Sequence, residues 1–241
     1  MAATLGVPRN FELAEALTQP VAESGRAQTA VAGWEPEEFA QEQVRGLVRQ
    51  VFFSKEPRAA KQVVFSAAEP GMEVAWLCLQ VGEAVAAAAR GSVCLVEANV
   101  RAPRLEQLFG RPGGAASKGE AGSIRESSRQ ISDDLWLVPA ATFLGESANV
   151  FSGIYLRSRL SDLRLEFDYA VLHAAPAVAY SEAALLGQIA DGMILVLQAH
   201  NTRRVAALRT KEILEASNVR LLGTVLKGRT FPVPERIYRK L

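Results

Sequence analysis

The stretch KQVVFSAAEPGMEVAWLC, residues 61–78, decides the fold. Its first part, KQVVFSA (61–67), has the apolar character of a buried strand. A Pro70–Gly71 turn follows, and the apolar segment 72–90 then predicts a helix. Proteins that bind nucleotides hold phosphate groups at such a strand–turn–helix junction. This turn lacks both the lysine and the hydroxyl side chain that phosphate and metal would need, so its chemistry has to be explained.

Strand-like and helix-like segments alternate along the rest of the chain. Further strands are predicted at 92–98, 135–140, 168–176, 192–199 and 220–228. Helices are predicted at 37–53, 101–110, 150–164, 181–190 (with Ser181 as its N-cap) and 202–217. Strands that are apolar on both faces and alternate with helices indicate a mostly parallel sheet covered on both sides. The expected fold is therefore a three-layer, doubly wound α/β fold.

In such folds ligands bind outside the carboxyl ends of the strands. Candidate site residues are therefore expected in the segments that follow the strands, namely 66–76, 97–104, 173–180, 199–203 and 227–231.

The flanking segments differ in composition from this alternating region. Residues 1–36 are expected to be a mobile leader, and residues 231–241 a basic tail broken by prolines. Between them, 37–230 is predicted to be one α/β domain. Within it, residues 111–134 are rich in glycine, serine and charge and predict a flexible loop.

Composition excludes several classes of function. The 241 residues carry 27 basic and 26 acidic side chains, a net charge of +1, so a nucleic-acid partner is not expected. The longest apolar segment, 74–89, is interrupted by Gln80 and Glu83 and is too short and polar for a membrane span. Cys78 and Cys94 lie in apolar runs, which is typical of buried thiols in a reducing compartment. With no signal peptide at the start, a cytoplasmic protein is expected.

Several motifs together resemble a known family. They are FSAAEPGMEVAW (65–76), CLVEANVRAPRLEQLFG (94–110), FDYAVLHAAPAV (167–178) and LLGTVLKG (221–228). In order and approximate spacing they are similar to the bacterial polysaccharide-export tyrosine autokinases. These are P-loop ATPase domains related to the chromosome-partition and cell-division ATPases. The resemblance covers about residues 37–230 and implies a P-loop NTPase-like fold.

The family's phosphate loop reads Pro-Gly-Glu-Gly-Lys-Ser/Thr. The matching residues here are Pro70, Gly71, Met72, Glu73, Val74 and Ala75. Val74 stands at the lysine position, Ala75 at that of the magnesium-binding hydroxyl, and Trp76 at that of a second hydroxyl. Glu73 replaces a glycine, which adds a side chain and a negative charge where phosphate would approach. A hydrogen bond to a charged group contributes roughly 1.5–3 kcal/mol, so the resemblance implies a severely weakened nucleotide site.

The family's acidic positions are altered in the same way. Its Asp-x-Asp motif is matched by Glu97 and Asn99, followed by Arg101 as in the family. The Walker B aspartate position is His173, and the asparagine that reads adenine is replaced by Lys227. These are the positions that would hold magnesium and the base, so the resemblance predicts that both contacts are weakened.

Two other family features are incomplete. A tyrosine-rich C-terminal tail is absent, because only Tyr238 of the four tyrosines lies there. The Glu-x-x-Arg-x-x-Arg helix that packs neighbouring subunits is matched imperfectly by Glu42, Arg45 and Arg49, which are the predicted interface residues.

The first interpretation is a catalytically degenerate pseudokinase with no catalytic residues. The resemblance implies a regulatory or scaffolding role in exopolysaccharide biosynthesis or export. The implied partner is an active tyrosine kinase or the cytoplasmic part of a membrane polysaccharide co-polymerase, which would recruit the chain to the inner membrane. Homo-oligomers are a further alternative. No cofactor is expected, with weak ATP or ADP binding as the exception.

Two alternatives stay open. The chain could be an active ATP-binding tyrosine kinase or ATPase with a displaced lysine, for which the candidates are Lys61, Lys118 and Lys227. It could instead bind a metal or a small ligand where Glu97, His173 and Glu73 converge, a donor set that suits zinc or manganese better than magnesium.

Two side-chain roles are open as well. Trp76 either fills the emptied phosphate pocket or packs on a neighbouring element. Arg203 and Arg204, at a helix start, either bind a partner's acidic patch or are solvated.

Overall fold

The computed structural model describes residues 36–54, 59–110, 123–145 and 152–228. The chain divides into two compact units, residues 1–43 and 44–241. Of the first unit only 36–43 are described, as the beginning of a helix. Residues 1–35 of the predicted leader and the whole predicted tail lie outside the described residues.

Helices and strands alternate within the described ranges. The helices are α1 Pro36–Phe52, α2 Ala75–Ala88, α3 Arg104–Gln107, α4 Ala140–Leu144, α5 Gly153–Glu166, α6 Ser181–Ile189 and α7 Arg204–Ala216. The strands are β1 Gln62–Ala67, β2 Val93–Glu97, β3 Arg129–Ser132, β4 Leu135–Val138, β5 Tyr169–His173, β6 Gly192–Gln198 and β7 Leu221–Lys227.

The strands form one sheet in the order β3-β4-β2-β5-β1-β6-β7. All neighbouring pairs are parallel except β3 and β4. The predicted mostly parallel α/β fold is thus confirmed. The register aligns Glu97 of β2 and Phe65 of β1 with His173 of β5, so the ends of these three strands meet at one edge of the sheet.

A hydrophobic core lies on each face of the sheet. Side chains of α1, α2 and α3 pack on one face, for example Phe52 and Leu105, while those of α4 to α7 pack on the other, for example Phe143 and Leu186. Each such side chain, when fully buried, contributes roughly 1.5–3 kcal/mol. Among the residues that can be described, no helix has the length and apolar character needed to cross a membrane.

The segment predicted to be a flexible loop, 111–134, contains a strand that the sequence analysis did not anticipate. Residues Arg129–Ser132 form β3, a short and mostly exposed edge strand. Its polar composition hides the alternation by which a strand is normally recognised. Residues 111–122 lie outside the described ranges.

Two helix starts differ from the predictions. Helix α2 begins at Ala75 rather than at residue 72, because Gly71 has φ +85° and the turn occupies the next residues. The N-cap of α6 is Tyr180 and not Ser181, since Tyr180 has extended backbone and Ser181 is already helical. The short helix α4 was also not predicted.

Candidate functional site

The turn between β1 and α2 carries the position of the predicted phosphate loop. The N–H of Ala68 donates to the carbonyl of Val196 in β6 (3.0 Å), and Gly71 then reverses the chain. The Glu73 carboxylate accepts a hydrogen bond from the N–H of Ala75, the first residue of α2 (3.1 Å). A helix N-terminus attracts anions. Here that place is occupied by a carboxylate of the chain itself.

Lys227, the last residue of β7, is also part of this turn. Its Nζ donates to the main-chain carbonyl of Glu73 (2.9 Å), although β7 lies two strands away from β1. Burial lowers the pKa of the Lys227 amine, and the charge of Glu73 acts in the opposite direction. The side chain of Lys227 therefore links the end of β7 to the turn between β1 and α2.

The ends of β2 and β5 carry a buried acid–histidine pair. Nδ1 of His173 lies 2.8 Å from Oε1 of Glu97, and the exposed fractions of the two residues are 4% and 0%. The Glu97 oxygens also accept the N–H groups of Asn99 (3.0 Å) and Leu105 (2.8 Å). Both oxygens of this carboxylate are thus used inside the protein. A carboxylate oxygen accepts hydrogen bonds, so the Nδ1–H of His173 is the donor in this contact.

The segment after β2 is fixed by side-chain contacts. Oδ1 of the buried Asn99 accepts from the N–H of Ala102 (3.3 Å). Arg101 forms an ion pair with Glu182 in α6, with Nε and Nη2 each 3.0 Å from the same carboxylate oxygen. Its guanidinium also stacks over Tyr180, 4.3 Å from the ring centroid. Arg101 therefore connects this segment to the start of α6.

The side chains at the lysine and hydroxyl positions are core residues. Val74 and Ala75 are buried in the core on the α1–α2 face, and Met72 and Trp76 pack partly buried against it. Nε1 of Trp76 is buried and makes no hydrogen bond to the described part of the chain. Trp76 thus packs against the neighbouring core.

The two cysteines are buried free thiols. Burial, followed by the charges of Glu97 and Glu73, raises the pKa of the Cys78 thiol well above its usual value. Burial likewise raises the pKa of Cys94. Both are protonated core side chains at neutral pH.

The residues at the proposed metal site do not fit a metal ion well. Glu97 and His173 are in contact, but each oxygen of Glu97 already holds an N–H donor. Glu73 is hydrogen-bonded to the start of α2. No group of three or more His, Cys, Asp or Glu side chains within the described ranges could hold a metal.

Other predicted residues lie elsewhere. Lys61 precedes β1 at the opposite edge of the sheet, and Lys118 lies outside the described residues. Arg45 and Arg49 are exposed on α1, and Glu42, in the first unit, is exposed too. Their role as an interface stays a prediction. Arg203 is the N-cap of α7, and the exposed Arg204 begins that helix.

Two features of the site are not predicted by the motifs. One is the contact of Glu73 with the start of α2, for which the signal is an acid just before a helix, where the helix dipole favours a negative charge. The other is a polar cluster at the amino edge of the sheet, which includes Asp191, Asp168 and Glu166. The signal there is an acid immediately before each of two strands, Asp191 before Gly192 and Asp168 before Tyr169.

Solved structures confirm the predicted P-loop NTPase-like fold, and at their low sequence identity they show the fold alone. The chain has the fold of the kinase domain of the Escherichia coli tyrosine kinase ETK, with TM-score 0.67, 16% identity and coverage of 81% of this chain and 78% of that one. It also matches a MinC–MinD cell division protein complex from Aquifex aeolicus, with TM-score 0.56, 14% identity and coverage of 75% and 72%.

The sequence comparison gives a narrower relation. The chain is 26% identical to the tyrosine-protein kinase YwqD of Bacillus subtilis over 204 residues, 83% of this chain and 85% of that protein. No family model matches the sequence. The predicted relation to bacterial tyrosine kinases is confirmed.

Proposed function

We propose that the chain is a pseudokinase: a relative of bacterial tyrosine kinases that keeps their fold without their nucleotide chemistry. Its role would be regulation or scaffolding in exopolysaccharide biosynthesis or export. The observation that carries this proposal is the Glu97–His173 pair at the ends of β2 and β5.

Magnesium needs carboxylate oxygens that face the ion. The Glu97 carboxylate is fully buried, and its two oxygens accept two main-chain N–H groups and the histidine. Freeing those oxygens would leave buried donors without partners, which costs roughly 1–3 kcal/mol for each group. His173 supplies a hydrogen-bond donor where a second carboxylate would be needed, so the pair stabilises the fold in place of a metal.

The turn supports the same proposal. The Glu73 carboxylate lies at the start of α2, where a phosphate would have to bind, and the side chains of Val74 and Ala75 are buried in the core. An incoming triphosphate would meet a like charge there and would have to displace it. In this proposal the Glu73 carboxylate takes the position of a bound phosphate, and the contact between His173 and Glu97 takes the position of a magnesium ion.

The proposed partners follow from the resemblance to the polysaccharide-export tyrosine kinases. A tyrosine kinase that retains its active site, or the cytoplasmic part of a membrane co-polymerase, would bind the chain in the cytoplasm and recruit it to the inner membrane. Glu42, Arg45 and Arg49 on α1 are the proposed contact residues. The proposed role requires no cofactor. Weak binding of ATP or ADP is still compatible with it, and the thermal unfolding experiment below measures that binding.

The test is thermal unfolding of the chain with and without magnesium-ATP or magnesium-ADP, with the B. subtilis relative measured in parallel. A ligand at a hundredfold excess over its dissociation constant stabilises the folded state by about 2.7 kcal/mol. We expect no shift at millimolar nucleotide for this chain and a clear shift for the relative. A saturable shift together with ATP hydrolysis would overturn the proposal.

One observation favours a second candidate, an ATPase or tyrosine kinase with a displaced lysine. Of the two candidates that the structure describes, Lys61 and Lys227, it is Lys227 whose Nζ reaches the turn. If it binds phosphate, Lys227→Met abolishes a nucleotide-induced shift while Lys211→Met, on the exposed face of α7, leaves it unchanged. The absence of a nucleotide-induced shift in the unmodified chain eliminates this candidate.

A further inference from the structure

A cavity of about 420 Å³ lies at the amino edge of the sheet, opposite the turn described above. This volume falls within the range of small-molecule sites, roughly 300–1,000 Å³. Its polar lining includes Lys61, Gln62, Arg125, Arg164, Glu166 and Asp168. The lining carries three cationic and two anionic side chains, and a third carboxylate, Asp191, forms an ion pair with Arg164, so the charges balance and the donors left on the cations decide what can bind.

The two carboxylates of the lining are occupied by neighbouring donors. Glu166 accepts hydrogen bonds from the Ser123 hydroxyl and from the N–H groups of Ile124 (3.0 Å) and Arg125 (2.7 Å). Burial alone would raise the pKa of Glu166, but these bonds outweigh it and the pKa is lowered. Asp168 accepts from the N–H (2.9 Å) and the hydroxyl (3.2 Å) of Ser92.

Arg164 is held in a fixed orientation. Its Nε donates to the side-chain carbonyl of Gln62 (3.0 Å), a residue that is 2% exposed, and its Nη2 donates to Asp191 (2.8 Å). Asp191 also accepts the N–H groups of Lys61 and Gln62, each at 2.8 Å. Because this network fixes the guanidinium from one side, its remaining donors need no rearrangement to meet a ligand.

Arg125 and Lys61 also have N–H donors that no described residue accepts. Arg125 stacks over Trp136, with its Cζ 4.0 Å from the ring centroid, and donates through Nη1 to the carbonyl of Glu166 (3.3 Å). The ammonium of Lys61 makes no hydrogen bond to any residue that the structure describes. The lining thus offers donors on three cations, while its acceptors are already used.

We propose that this cavity binds the phosphate group of a small organic phosphate. The cations come from three separate elements: Lys61 from the start of β1, Arg164 from the end of α5, and Arg125 from the turn held by Glu166. Three elements thus supply cations to one cavity, and a phosphate, which has more oxygens and a higher charge than a carboxylate, can accept from all three. The site lies at the opposite edge from the turn and does not depend on the pseudokinase proposal.

Trp136 provides the measurement because Arg125 lies directly over its ring. In a Trp34→Phe, Trp76→Phe background it is the one remaining tryptophan of the three in the sequence. Inorganic phosphate is titrated at constant ionic strength, with chloride as the balancing anion. We expect a saturable change in Trp136 fluorescence, and Lys61→Ala should weaken the affinity about tenfold, the loss of one charge-assisted contact.

Matched variants separate the outcomes. Lys211→Ala, an exposed lysine of α7, should leave the titration unchanged, and acetate should give no saturable signal. Lys227→Met, at the carboxyl edge, should keep the phosphate response. The absence of a saturable change, an equal response to acetate, an undiminished affinity in Lys61→Ala or loss of the response in Lys227→Met would each overturn the proposal. The last result would instead place phosphate at the turn and count against the pseudokinase.

Discussion

The two edges of the sheet treat charge in opposite ways. At the carboxyl edge, Glu97 is paired with His173, Glu73 accepts the first N–H of α2, and Lys227 donates to the carbonyl of Glu73. At the amino edge the acids are equally well paired, but the cations around the cavity keep donors that no described residue uses. The charged groups of the carboxyl edge are thus bound to one another, whereas the amino edge keeps cationic donors for the proposed anion.

The difference separates where a ligand site lies in this fold from whether that site can bind a ligand. Ligands of doubly wound folds bind at the carboxyl ends of the strands. That rule locates the turn correctly, yet the side chains present there complete one another's hydrogen bonds. The position of a site follows from the fold, whereas its ability to bind follows from the donors and acceptors that remain.

The largest effect on stability is expected when the Glu97 side chain is removed from the carboxyl edge. Glu97→Ala removes the acceptor of two buried N–H groups and of His173, and the loss of stability should be about 3–5 kcal/mol, as for other buried pairs that lose one partner. Urea unfolding measures it. Glu97→Gln, which keeps the shape and one acceptor oxygen, should cost less. A loss below about 1 kcal/mol for Glu97→Ala would mean that the pair does not hold the edge together.

The second prediction concerns Asp191, which holds Arg164 in place at the amino edge. Asp191→Asn should cost about 1.5–3 kcal/mol at pH 7, because the carboxylate accepts from Arg164 and two main-chain N–H groups. Burial alone would raise the Asp191 pKa, but the bonds from Arg164, Gln62 and Lys61 outweigh it and lower the pKa. This stability is therefore fully present above the ordinary aspartate pKa of about 3.9 and is lost as the pH falls through the lowered value.

The variant should consequently lose less stability than the unmodified chain on acidification below about pH 4. Chemical denaturation at a series of pH values between neutrality and acid measures the difference. Identical slopes for the two proteins would show that Asp191 does not contribute to the acid sensitivity.

Two glycine substitutions, one at each edge of the sheet, test the same difference with smaller expected effects. Gly71→Ala, at the carboxyl edge, meets nothing within 4 Å but must hold φ at +85°, so it should cost about 1–2 kcal/mol through backbone strain alone. Gly91→Ala, at the amino edge, places its Cβ 2.6 Å from Oδ2 of Asp168 and should displace that carboxylate from Ser92. Only Gly91→Ala should alter the phosphate titration, and an effect of Gly71→Ala on it would contradict the separation of the edges.

The smallest effect is expected for the lysine that joins β7 to the turn. Lys227→Met removes one hydrogen bond to the Glu73 carbonyl and should cost about 0.5–1.5 kcal/mol. The control Lys211→Met removes only a surface ion pair with Glu215 and should cost about 0.3–0.5 kcal/mol. Thermal unfolding of the two variants side by side is sufficient. Equal losses would mean that Lys227 contributes no more than an ordinary surface residue.

The sequence predicted the parallel sheet because its strands are apolar on both faces, and it predicted the location of the turn because Gly71 follows a buried strand. It could not predict β3, whose four residues are polar and gain order from their pairing with β4. It also could not predict the contact between Lys227 and Glu73, which are 154 positions apart in the chain. Contacts of that kind depend on the order of strands in the sheet and not on local pattern.

The adjacent register of Glu97 and His173 has an evolutionary consequence. A magnesium-binding site at these two strand ends would require an acid at position 173, but that change alone would bury two carboxylates side by side without a metal. Changing position 97 first would leave the histidine and two N–H groups without their acceptor. Either first step passes through a destabilised intermediate, so we expect the two positions to vary together among relatives of this chain.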